Sequence, residues 1–442
     1  MFSNKDLRNM IVPLFLEQLL VMLVGVADGI IVSYAGEQAV SGVSLVNSFN
    51  TIFIYLFSAL AAGGAVVISQ YLGKGNKDSS SESASQLLTA STLFSVVIAA
   101  VVLVFHKGIL GVMFGEVEAG VMEACITYLV ITACSFPAIA IYNSGASLCR
   151  SLGKTKITLY ISIIANIINV VGNYIGVFVL DAGVAGVAYP TLISHVFSAV
   201  AVTAVCFNKN YDACYRLKYI FGWNGGIMKS VLGIAVPNGI ENGIFQLVKV
   251  ALSSVVALFG TYQIAANGVA QTIWSLAALM GVAFGPVFIT VIGRCMGAGD
   301  VKAAAMYFKK LTKLALGLSI AWNAFIFAIT PVMMLFYDLS DQTKHLIIIL
   351  VLIHNVFNAF AFPFSGLLGN GLRACGDVKF TMYVSVASTV LGRLVFSLIF
   401  ALVFNMGVIG IAFAMCLDWC IRAVTFIFRV KGGKWKTMKV IH

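Results

Sequence analysis

Long apolar runs, broken by short polar stretches, recur from one end of the chain to the other. One helix needs about 20 apolar residues to cross a hydrocarbon core. Backbone groups shielded from water must bond within their own segment, so runs of this length predict helices. The apolar–polar alternation of a membrane barrel is absent from the sequence. Twelve spans are expected, over 11–35, 44–72, 86–106, 121–145, 157–179, 184–207, 229–258, 264–292, 310–331, 344–369, 380–404 and 408–429. The first follows a short charged head with no small-residue cleavage site near its end, so no cleaved leader is expected. The pattern reads as an all-α integral membrane protein of twelve transmembrane helices.

Composition agrees. The 442 residues are 60% hydrophobic and only 10% charged, against about 25% charged in soluble domains. A net charge of +11 invites a nucleic-acid reading, but its placement argues otherwise. The head, the loops after even-numbered spans and the tail, with the span ends that adjoin them, hold 23 of the 28 Lys and Arg residues. The opposite side holds only Lys107 and Lys344, while Lys249, Arg393 and Arg422 fall within spans. This bias puts both termini in the cytoplasm, with the chain in the plasma membrane, and makes anionic headgroups its neighbours rather than nucleic acid. The tail "KGGKWKTMK" reads as an interfacial anchor. Nine cysteines include no metal-like CxxC pair. Cys416 and Cys420 lie one turn apart and read as small packing residues.

The chain repeats itself. "VPLFLEQLLV" (12–21) and "VPNGIENGIF" (236–245) each place a glutamate four residues after a proline, at a shift of 224. At the same shift "ISQYLGKGN" (68–76) matches "IGRCMGAGD" (292–300), and "GVAGVAYPT" (183–191) matches "GVIGIAFAM" (407–415). "CRSLGKTKIT" (149–158) matches "LRACGDVKFT" (372–381) at 223. Each half then holds six spans. An even number makes the halves parallel repeats, an arrangement suited to alternating access around a central site. The expected organisation is a first six-helix bundle over 1–207, an interfacial cytoplasmic linker over 208–228, and a second bundle with the basic tail over 229–442.

Ionisable residues inside spans mark the candidate chemistry, because each costs on the order of 3 kcal/mol in the bilayer centre. Asp28 lies about 17 residues up the first span, in its outer third by helical rise. Asn169 and Asn173, one turn apart in "NVVGNY", and Thr191 in the sixth span reach a similar level. A carboxylate, two amides and a hydroxyl can ring a small cation or share a proton. No metal other than Na⁺ at Asp28 is expected. Glu17 shares a face with Asp28, about 16 Å away, beside the helix-loosening Pro13. It reads as a proton relay or as a polar tie at a bend, and its twin Glu241 likewise. Lys249 matches Gly25 in the repeat; it either pairs with Asp28 across a cleft or snorkels to the interface. Arg393 and Asp418 reach mid-membrane from two spans and read as a buried ion pair. His195 and His354 read as packed residues, with Asn355 and Asn358 beside His354.

These motifs together resemble the multidrug and toxic compound extrusion (MATE) family over essentially the whole length. They are the first-span proline followed by Asp28, "GGAVVISQYLGKGN", "CRSLGKTK", "NVVGNY", "GVAGVAYPT" and "GRCMGAGD". The resemblance implies a V-shaped pair of six-helix bundles that exports organic, often cationic, compounds on inward flow of H⁺ or Na⁺. It implies coupling at Asp28, Asn169, Asn173 and Thr191. Some members carry an aspartate where Asn173 stands. Some carry a seventh-span glutamate where Phe245 stands, and a tenth-span aspartate near Phe362 and Pro363, so a cation site in the second bundle is not expected. The implied partners are a small organic substrate and membrane lipids, with no organic cofactor and a monomeric chain. The runner-up is a flippase for lipid-linked or polysaccharide precursors, toward which only Lys249 leans. No Walker loop, HExxH or GxSxG is present, which argues against an enzyme. Nor is there a filter-like loop to favour a channel.

Overall fold

In a computed structural model that describes residues 2–115, 117–335, 337 and 339–441, the chain is helical throughout, with no strand among the described residues. In order come α1 (Asn4–Ser33), α2 (Glu37–Gly73), α3 (Lys77–Phe114), α4 (Ala119–Ala133), α5 (Phe136–Ser151), α6 (Thr155–Tyr174), α7 (Ala185–Cys206) and the short α8 (Leu217–Ile220). Then follow α9 (Gly225–Val256), α10 (Thr261–Ala277), α11 (Leu279–Gly297), α12 (Val301–Met334), α13 (Asp341–Phe360), α14 (Leu368–Cys375), α15 (Val378–Ala387), α16 (Phe396–Leu398) and α17 (Gly407–Gly432). Among the described residues ten helical segments are long and apolar enough to cross a membrane, and α4 with α5, bent by 44°, makes an eleventh if the pair is one span. The chain is a multi-pass membrane protein.

The expected fourth, eighth and tenth spans are each split, the tenth at Ala361 between α13 and α14. The fourth breaks between α4 and α5, where Pro137 sits in the first turn of α5 and cannot donate a backbone hydrogen bond to the turn before it. The eighth breaks at Ala278 between α10 and α11. There the Trp322 indole donates to the Leu276 carbonyl at 2.9 Å.

Two compact units divide the chain: Asn4–Gly239, and Ile240–His442 with Met1–Ser3. The first is centred on Val46, Phe57, Leu129 and Phe136. Helices α2 and α5 meet through small residues, with Ser147 and Ser151 donating to the carbonyls of Ala61 and Ala65. Such close contact supplies the packing that lipid, as apolar as the helices, does not drive. The second unit is centred on Ala266, Ala270, Ile347 and Leu350. Segment 208–224 folds onto the first unit. Gln86 Nε2 donates to Tyr219 O, Thr89 Oγ1 to Ile220 O, and Asn224 Nδ2 to Glu82 Oε1. Burial there pushes the Tyr215 phenol well above its ordinary range.

The repeated motifs form the same turns in both units. Gly75 and Gly299 have φ of 76° and 73°, and the next residue caps the following helix: Asn76 accepts from Ser79 N and Asp300 from Ala303 N, each at 2.9 Å. Asp181 and Asn405, also 224 apart, are the non-glycine residues with positive φ among the described residues. Each closes a π-helical end, Ile175–Val179 or Ile399–Val403. Ala182 N bonds Gly176 O, and Met406 N bonds Phe400 O.

Candidate functional site

A cavity of about 430 Å³ lies wholly within the first unit. Glu17, Gly25 and Asp28 on α1, Tyr142 and Asn143 on α5, Asn166 and Asn169 on α6, and Thr191 and His195 on α7 line it. The packing of α1 on α6 and of α6 on α7 brings these residues together. Gly25 leaves room beside Asp28, since nothing stands where its side chain would be.

Asp28 is half-buried and forms no ion pair among the described residues. Asn173, fully buried, donates through Nδ2 to Asp28 Oδ1 at 2.7 Å. The Asn169 amide meets its neighbours best with nitrogen toward the carboxylate, 2.8 and 3.2 Å from Oδ1 and Oδ2, and with its oxygen accepting from Thr191 Oγ1 at 3.1 Å. Asp28, Asn169, Asn173 and Thr191 thus form one cluster. Asn173 Oδ1 is buried there without a hydrogen-bond partner. Chemically, the cluster is an unmatched carboxylate held by amide donors, with an acceptor to spare and open to a cavity.

Glu17, only 3% exposed, is fully matched. Arg150 Nη2 lies 2.7 Å from its Oε1, Thr158 Oγ1 donates to Oε2 at 2.8 Å, and Tyr142 OH donates to Oε1 at 3.3 Å. In the second unit Glu241 pairs with Arg373, which also holds Asn370 Oδ1. Sequence reasoning missed both arginines. The signal was present: Arg150 and Arg373 are the arginine common to the matched "CRSLGKTKIT" and "LRACGDVKFT".

Lys249 is exposed on α9, its carbonyl accepting from Ser253 Oγ. Arg393 Nε lies 3.3 Å from Asp418 Oδ2. The closer partner of Asp418 is Arg422, another residue sequence reasoning did not pair, at 2.8 and 2.7 Å. Its i,i+4 spacing from Asp418 on one helix was the available signal. Asn358 bonds Asn323 Oδ1 at 2.9 Å, and Asn355 bonds Asn323 O at 3.2 Å. Among the described residues no group of His, Cys, Asp and Glu could hold a metal ion.

A family model described as MatE matches the chain twice, over residues 13–175 and 237–399, each match starting at the repeated proline. An uncharacterized transporter, YisQ, of Bacillus subtilis is 28% identical over 96% of this chain and 93% of its own. A probable multidrug resistance protein, NorM, of Thermotoga maritima is 21% identical over 99% of this chain and 94% of its own. Among solved structures, the outward-facing conformation of a multidrug resistance MATE family transporter superposes with a TM-score of 0.88, at 20% identity, covering 97% of this chain and 96% of that one.

Proposed function

Because the chain belongs to the MATE family of membrane transporters, we propose that it is a secondary active exporter of organic, cationic compounds, driven by influx of H⁺ or Na⁺ through alternating access in the plasma membrane, with cytoplasmic termini. The observation that carries this reading is Asp28: an unmatched carboxylate on a cavity, held by two amide donors. Relatives named as multidrug resistance proteins support the substrate class. Of the two ions, H⁺ asks less of the site. Both amides present nitrogen to the carboxylate, and Na⁺ would require them to turn their oxygens inward.

In this mechanism ionised Asp28 holds α1 to α6 through Asn173 and Asn169. Hydrogen bonds to a charged acceptor are worth about 1.5–3 kcal/mol each. Protonation weakens them and frees α1 to shift against α6, which reshapes the cavity and resets the transporter. Substrate and proton thereby exclude one another at one site, which is the differential affinity that coupling needs. The test is ethidium movement into proteoliposomes under a pH gradient or a Na⁺ gradient imposed separately. The reading predicts transport driven by one gradient and lost in Asp28→Asn. Full gradient-driven transport by that variant would overturn it.

A further inference from the structure

The site around Asp28 has a counterpart in the second unit with the charge reversed. At the repeat shift of 224, Asp28 corresponds to Leu252, Asn173 to Ser397 and Thr191 to Met415. Arg393 stands within one residue of the position matching Asn169. The offset rises from 223 at Thr381 to 224 at Ile399, and between them lies the π-helical stretch Ser388–Val395, which α6 lacks. A π turn takes up one residue more than an α turn, and such insertions gather at functional sites. Here the insertion carries Arg393.

Arg393 is a surplus cation. Asp418, fully buried, is already met by Arg422 through two parallel bonds and by Ser388 Oγ. Arg393 Nε lies 3.3 Å from Asp418 Oδ2 and has no hydrogen-bonded acceptor. Glu241 is held by Arg373 and Asp377 by Arg429. One carboxylate cannot neutralise two arginines, so a positive charge stays unmatched on a side chain 7% exposed. Its guanidinium lies over the Phe245 ring, 4.8 Å from the centroid. His354 on α13 is within electrostatic reach of it, 1% exposed, and both its ring nitrogens lack a hydrogen-bond partner. An unmatched guanidinium, an imidazole with nitrogen to spare and an aromatic face together form the recognition set for a flat organic anion.

We propose that Arg393 and His354 form a binding site in the second unit for the carboxylate of an aromatic organic anion or zwitterion. The site is distinct from the Asp28 cavity and stands whether or not Asp28 couples transport. The test uses the purified full chain in detergent. Binding of 2-naphthoate and of its carboxamide is measured by isothermal titration calorimetry. The expected result is that the carboxylate binds at least about tenfold tighter than the carboxamide, the share of one charged hydrogen bond. Arg393→Gln, which leaves the Asp418–Arg422 pair intact, should abolish that preference, and Asp28→Asn should leave it unchanged. Equal affinity of wild type for carboxylate and carboxamide overturns the proposal without recourse to any variant. So does a preference that survives in an Arg393→Gln protein with an unchanged melting temperature.

Discussion

At the scale of residues, the charges inside the helices fall into matched and unmatched sets. Glu17 and Arg150 are matched, as are Glu241 and Arg373. Removing one partner of a buried pair costs about 3–5 kcal/mol, because the other is left alone. Glu17→Ala or Glu241→Ala should therefore lower the melting temperature of detergent-solubilised protein by several degrees. The neutral doubles Glu17→Gln/Arg150→Met and Glu241→Gln/Arg373→Met should recover most of that loss. If the doubles melt lower than the singles, the pairs do not hold their units together. Asp28 is the opposite case, with no cation to strand: Asp28→Asn turns two charged bonds into neutral ones, at about 1 kcal/mol each, so it should lower the melting temperature less than Glu17→Ala while altering transport. The acids and amides were legible in the sequence because the bilayer makes each polar residue conspicuous. Which arginine answers which acid was not, since partners such as Glu17 and Arg150 are 133 residues apart in the chain. Phe245 shows the same limit. Its sequence position marks a missing acid, but only the fold places Arg393 over its ring.

At the scale of elements, glycine turns and helix ends carry the repeat. A β-carbon at Gly75 would touch nothing, so Gly75→Ala should cost only the backbone term of a left-handed residue, about 1–2 kcal/mol. A β-carbon at Gly176 would collide with the Gly186 carbonyl, where α6 ends against α7. Gly176→Ala should therefore destabilise far more, and thermal melts of the two variants should separate clearly. Equal melting temperatures would mean that the α6–α7 contact gives way easily. The spans themselves were legible from apolar length alone. Their internal breaks were only partly so. Pro137 announces the bend between α4 and α5, whereas the break at Ala278 has no Pro or capping residue and coincides with a tertiary bond from Trp322. The π-helical stretch at Ser388–Val395 left one sequence trace, the change of repeat offset from 223 to 224.

At the scale of the whole molecule, the two repeated units carry different chemistry: the first holds a carboxylate, Asp28, with no ion-pair partner among the described residues, and the second sets two arginines, Arg393 and Arg422, on one carboxylate, Asp418. Orientation belongs to this scale too. The bias of Lys and Arg predicts that Lys107→Cys and Lys344→Cys, in a cysteine-free background, react with a membrane-impermeant maleimide on intact cells. Lys77→Cys and Lys302→Cys should react only after lysis; the reverse pattern would invert the topology and with it the direction of transport. The central claim is that the Asp28 carboxyl couples ion to substrate, and counterflow tests it most directly. Proteoliposomes holding a pH-sensitive dye are given ethidium outside, with no imposed ion gradient. Wild type should alkalinise the lumen as ethidium enters, and Asp28→Asn should move neither ethidium nor protons. An equal pH change in Asp28→Asn would contradict the account.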